Sequence, residues 1–120
     1  MALTGYTTKI GGAIRIASVK PGGMKIAHVQ VTIGATTDYA AGVGFDINAD
    51  RAKFGFQVIF DVLSASIRSS AGTLKAFMPI WDQNTKKLRF WEVGAAGPLD
   101  EMDQADLAAN DVLSMVVIGV

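Results

Sequence analysis

The stretch Phe54-Gly55-Phe56-Gln57-Val58-Ile59-Phe60-Asp61-Val62 decides the fold class. Its apolar residues recur at every second position: Phe54, Phe56, Val58, Phe60 and Val62 share one face, while Gly55, Gln57 and Asp61 fall on the other. A period of two belongs to an extended strand, whose successive side chains point to opposite sides. The reading therefore predicts a strand over 54–62 that supplies the centre of the core.

The same alternation recurs to either side. Residues 24–33 place Val29, Val31 and Ile33 on one face and His28, Gln30 and Thr32 on the other, the pattern of a strand with one wet side. Residues 13–19 align Ile14 with Ile16. Segments 74–81 and 112–118 are apolar on both faces and read as central or interface strands. No segment sustains a 3.6-residue stripe over three turns.

Turn residues separate these runs. Lys20-Pro21-Gly22-Gly23 reads as a turn, because Pro fixes one dihedral and Gly supplies positive φ. The polar, Asx-containing run from Trp81 to Leu88 reads as the tip of a hairpin. Residues 94–111 are rich in Gly, Ala and Asp and are expected to form a long acidic surface loop. A short helical turn is expected from Pro98 to Met102, with Pro at a first helical position and acids after it. Six to nine short strands in one chain make an all-β, single-domain antiparallel fold over residues 1–120, a β-sandwich, jelly-roll or small barrel.

Composition narrows the chemistry. The 120 residues include no cysteine, which removes disulfides, thiolate metal sites and cysteine nucleophiles. At this mass the folded surface is about 6,200 Å², enough for one modest core. The start, Met1 to Tyr6, lacks the basic and apolar regions of a secretory signal, and the apolar stretch from Val112 to Val120 is well short of the ~20 residues that cross a bilayer. Neither export nor a membrane partner is expected. With 11 basic and 11 acidic residues, the chain lacks the basic excess of a dedicated nucleic-acid binder.

Zero net charge conceals a gradient. The part before Asp38 sums to +4, the part from Asp38 to Arg89 to +2, and the remainder to −6. Either the ends neutralise each other within one copy, or a basic surface of one copy meets an acidic surface of a neighbour.

Candidate reactive groups are sparse. His28 is the single histidine, and catalysis or metal binding would need partners that the sequence does not single out. Asp46-Ile47-Asn48-Ala49-Asp50 begins like a calcium loop. The match then fails, with Arg51 where Gly is needed and Gln57 where a bidentate Glu is needed. Gly42-Val43-Gly44 and Gly11-Gly12 lack the helix and the Lys-Ser/Thr sequel of a phosphate loop, and read instead as bulges or close backbone approaches. Ser64, Ser66, Ser69 and Ser70 carry no nucleophile-elbow signature. No catalytic, cofactor or metal residue is assigned, and the sequence points away from an enzyme. Trp81, Phe90 and Trp91, with Lys86, Lys87 and Arg89 beside them, suit either a stacking platform or cross-strand aromatic pairing in a hairpin.

Three segments carry a family resemblance. Asp38-Tyr39-Ala40-Ala41-Gly42-Val43-Gly44-Phe45-Asp46, then Met78 through Phe90 with its Trp81-Asp82-Gln83-Asn84-Thr85-Lys86-Lys87-Leu88 hairpin, then Leu113 through Val120 resemble, in this order, the capsid decoration (cement) proteins of tailed bacteriophages. The likeness spans residues 38–120, and residues 1–37 form a basic part without a match. It implies a β-sandwich or jelly-roll on the outer surface of a phage head, bound to the major capsid protein and self-associated as a homotrimer or dimer. Trp81, Phe90, Trp91, Met115 and Val117 are then the expected oligomer or shell contacts, and the basic segment with Lys9 and Arg15 reaches towards neighbouring capsid subunits. Such a protein would be made in the host cytoplasm and end in the virion. A carbohydrate-binding module using Trp81 and Trp91, or a tail or connector protein, are the alternatives.

Overall fold

The computed structural model describes residues 6–9, 23–34, 39, 42, 44–93 and 99–120. Among these, the chain is all-β. Seven strands run in the order β1 (Tyr6–Lys9), β2 (Lys25–Ile33), β3 (Ile59–Arg68), β4 (Met78–Asp82), β5 (Lys87–Val93), β6 (Leu99–Glu101) and β7 (Val112–Gly119), with one 3₁₀ turn at Gln104–Asp106. They form a four-stranded sheet, β1-β2-β7-β3, and a three-stranded sheet, β4-β5-β6, in which every pairing is antiparallel.

The alternation read at 24–33 is realised in β2, where Ala27, Val29, Val31 and Ile33 are buried and the residues between them are half-exposed. The C-terminal run becomes β7, held between β2 and β3, with Leu113, Met115 and Val117 buried. These side chains join Leu88 and Phe90 of β5 and Ile59 and Ile67 of β3 in one buried cluster. Tyr39, Phe45, Ile47, Phe54 and Phe56, which precede β3 in the chain, complete it. Tyr39 and Phe45 meet edge to face at 4.6 Å between ring centres, and Phe45 meets Phe90 at 6.2 Å, the geometry that the ring quadrupoles favour.

The opening stretch folds differently from the expectation. Residues 51–55 form turns, Gly55 has φ of 87°, and the strand begins only at Ile59. Phe54 and Phe56 enter the core from this turn, whereas Val58 and Phe60 are exposed. Two register shifts against β7 account for the change of face. Asp61 pairs with Ile118 after Ile59 pairs with Gly119, and Ser64 pairs with Val116 after Val62 pairs with Val117. Phe60 and Leu63 are therefore the extra residues of two bulges, which turn them out of the ladder. Ile59, Val62, Ala65 and Ile67 take over the inward positions.

Three further expectations are corrected. Of the two readings of segment 74–81, a central or an interface strand, the first is excluded, because β4 is an edge strand whose Met78 and Ile80 are exposed. The helical turn expected to end at Met102 gives way to strand β6, whose Glu101 and Asp100 pair with Trp91 and Glu92. Within the expected acidic surface loop, Met102 and Asp111 are buried. The hairpin tip is as read: β4 and β5 are joined across residues 83–86, with Asp82 accepting from the Asn84 and Thr85 amides and Lys86 at φ of 57°. The runs at 13–19 and 20–22, Gly11-Gly12 and Arg15 lie outside the described residues.

Candidate docking surface

The outward face of the three-stranded sheet follows from its register. Met78 pairs with Trp91, Ile80 with Arg89 and Asp82 with Lys87, so these six share one face. Pro79 with Phe90 and Trp81 with Leu88 share the other, which enters the core. Leu99, opposite Val93, lies at the far end of the outward face and is exposed.

A bidentate ion pair sits at the centre of that face. Arg89 donates from Nε to Glu101 Oε1 and from Nη2 to Glu101 Oε2, both at 2.8 Å, and its guanidinium lies 4.9 Å from the ring centre of Trp91. The Tyr39 hydroxyl donates to Glu101 Oε1 at 3.0 Å and accepts from the Phe90 amide, while the Gly42 amide donates to Oε2. Burial alone would raise the Glu101 pKa. The bonds from Arg89, Gly42 and Tyr39 outweigh it and hold the carboxyl below its ordinary range. Burial also pushes the Tyr39 phenol up, so it stays protonated and able to donate. Gly44 is required where this segment closes on β5. Its φ is 79°, and a Cβ there would lie 2.6 Å from Arg89 Cγ and 2.7 Å from the Leu88 carbonyl oxygen.

Strand β3 brings a second apolar group beside the first. Arg68 bridges Leu74, the Lys75 amide donates to the Ile67 carbonyl, and Gln83 Nε2 donates to the Phe60 carbonyl at the opposite end. Segment 74–83 thus runs antiparallel along β3 from one sheet to the other. Along this seam Phe60 and Leu63 stand out from β3, Leu63 at 55% exposure, and Met78 and Ile80 stand out from β4 at 50% and 41%.

The expected contact residues divide accordingly. Trp91 lies on the outward face, partly exposed. Trp81 packs against the core, with its indole N–H donating to Gln83 Oε1 at 2.9 Å. Phe90, Met115 and Val117 are core residues of a single copy, turned away from any docking partner. Lys9 is a backbone partner of Gln30 in β1, and Arg15 lies outside the described residues. The two tryptophans face opposite sides of the hairpin and cannot form one stacking platform.

Val58, Phe60, Leu63, Met78 and Ile80 are exposed apolar residues that the sequence reading does not single out for a surface role. Their signal was adjacency: Val58-Ile59-Phe60 and Val62-Leu63 set apolar residues side by side, and alternation cannot bury neighbours on one face. Among the described residues, no group of three or more His, Asp or Glu is placed to hold a metal ion, and no helix is long and apolar enough to cross a membrane. The Asp46–Asp50 run forms turns in which Asp46 accepts from the Ala49 amide and pairs with Lys87 at 2.7 Å. No family model, curated protein or solved structure matches this chain.

Proposed function

We propose that the chain is a structural β-sandwich protein that decorates a tailed-phage head, docking on the capsid through the outward face of its three-stranded sheet and the adjoining edge of β3. One observation carries this reading: Phe60, Leu63, Met78 and Ile80 are large apolar residues exposed on the neighbouring edges of β3 and β4 of a small protein. Exposed apolar surface of this kind is retained where a partner covers it.

The chemistry of the face suits a protein partner. Apolar residues surround Trp91 and Arg89, the residue types enriched where binding energy concentrates, and the Arg89–Glu101 pair is already satisfied before docking. The resemblance of residues 38–120 to capsid decoration proteins supplies the partner, the major capsid protein. Such a protein acts by mass action, since binding only the assembled shell stabilises that state.

The opposed placement of Trp81 and Trp91 removes the feature that favoured a sugar platform on this hairpin. The test is the heat stability of heads prepared with and without the protein. Decorated heads should release DNA at a higher temperature, and equal release temperatures would refute the reading.

A further inference from the structure

The outward face of the four-stranded sheet contains a polar trough of about 330 Å³. Register places its side chains in transverse rows over three strands. His28 of β2, Val116 of β7 and Ser64 of β3 make one row; Gln30, Ser114 and Ser66 make the next. Arg68, opposite Val112, closes one end. Strands about 4.8 Å apart, with same-face residues about 6.8 Å apart along each, make this a regular lattice of short polar groups.

The lining has three properties that together select a ligand. Three hydroxyls and an amide both donate and accept, which matches a molecule whose own groups do both. Val116 offers an aliphatic surface amid them, suited to the C–H face of a ring. Arg68 supplies a fixed cation, and among the described residues no carboxylate lines the trough to cancel it. One of its N–H groups is engaged, from Nη1 to the Gly72 carbonyl at 3.2 Å, leaving further donors for a planar acid group. A free inorganic anion would use Arg68 but leave the serine rows idle, and a neutral polyol would leave Arg68 idle.

We infer that this trough binds an acidic saccharide, a sugar bearing a carboxylate, with the serine and Gln30 rows on its hydroxyls and Arg68 on its carboxylate. It opens on the outward face of the four-stranded sheet and shares only strand β3 with the docking surface, which uses the bulged residues Phe60 and Leu63 of that strand. The volume accommodates a small saccharide.

The test is a glycan array of uronate- and sialate-bearing oligosaccharides beside their neutral counterparts, followed by titration of the hits against the purified chain, with inorganic sulfate as competitor. Acidic glycans should bind in preference to neutral ones. Arg68→Gln should weaken the acidic hits about tenfold or more, as loss of a charge-assisted pair does. Ser114→Ala, which removes the hydroxyl with little change in side-chain volume, should weaken them as well, and both variants should retain the thermal unfolding of the parent. Silence across the acidic glycans, equal binding of the neutral set, displacement by sulfate at concentrations matching the sugar, or hits insensitive to both substitutions would each overturn the assignment.

Discussion

Arg89 on β5 and Glu101 on β6 are joined by two parallel hydrogen bonds of 2.8 Å, and the same carboxylate receives the Tyr39 hydroxyl and the Gly42 amide. One buried carboxylate thereby ties Tyr39 and Gly42 to two strands. Replacing Glu101 by Gln should remove the charge from this network while keeping its shape. The expected loss is about 2–3 kcal/mol by urea denaturation, because Arg89 and Tyr39 lose a charged acceptor in a largely dry setting. A double-mutant cycle with Arg89→Met should show coupling between the two positions.

The same carboxylate sets an acid limit. Its folded pKa lies below the ordinary value of 4.5, so its stabilising contribution is complete above that value and is lost as pH falls through the folded pKa. Asp46 acts in the same direction: burial opposes its ionisation, but the bonds from Lys87 and the Ala49 amide outweigh that effect. Denaturation midpoints should fall steeply below about pH 4.5. The Glu101→Gln protein should show a shallower fall over the same window.

Asp111 is 1% exposed, and Lys75 reaches it at 2.7 Å while also donating to the Asp106 carbonyl. The Ala108 amide donates to the same carboxylate oxygen. Lys75→Met would keep the stem that covers the pair and remove its charge. An expected cost of about 2–4 kcal/mol follows from leaving a buried carboxylate short of its cation, at the lower side of the usual range because Lys75 retains some contact with water. Thermal unfolding of the variant at neutral pH measures it.

Gly119 sits where β7 meets the start of β3. A Cβ there would approach the Val58 carbonyl oxygen to 2.1 Å, at a point where Val58 and Val120 exchange backbone bonds of 3.0 and 2.9 Å. Gly119→Ala should therefore destabilise by about 1–3 kcal/mol, the range for forcing extra volume into packed structure. Calorimetric unfolding provides the measurement.

Most of the architecture was legible from apolar patterning and turn residues. Alternation located β2, the continuous apolar run at 112–118 located β7, and the polar tip between apolar runs located the β4–β5 hairpin. Alternation failed at residues 54–62, where a positive-φ Gly55 and two bulges change which face is buried. A bulge leaves no mark in the apolar count, only the crowding of neighbouring apolar residues such as Val62 and Leu63. Three of the expected contact residues fall in the core for a related reason. Phe90, Met115 and Val117 are apolar in the sequence whether they serve a core or an interface, and only the pairing of the sheets separates the two uses. Tyr39 and Glu101, 62 positions apart, offered no local pattern at all.

Docking through the β3 and β4 edges is the central claim. The most direct measurement is cosedimentation of the purified chain with expanded, DNA-free heads built from its cognate major capsid protein, comparing the parent with Leu63→Asp and Ile80→Asp. Both positions are exposed, so each substitution should leave stability within about 0.5 kcal/mol, as surface changes away from special features do. The account predicts saturable binding by the parent and loss of binding, by about tenfold or more, in each variant, as for residues at the centre of an interface. Absence of binding by the parent, or equal binding by all three proteins, would contradict it.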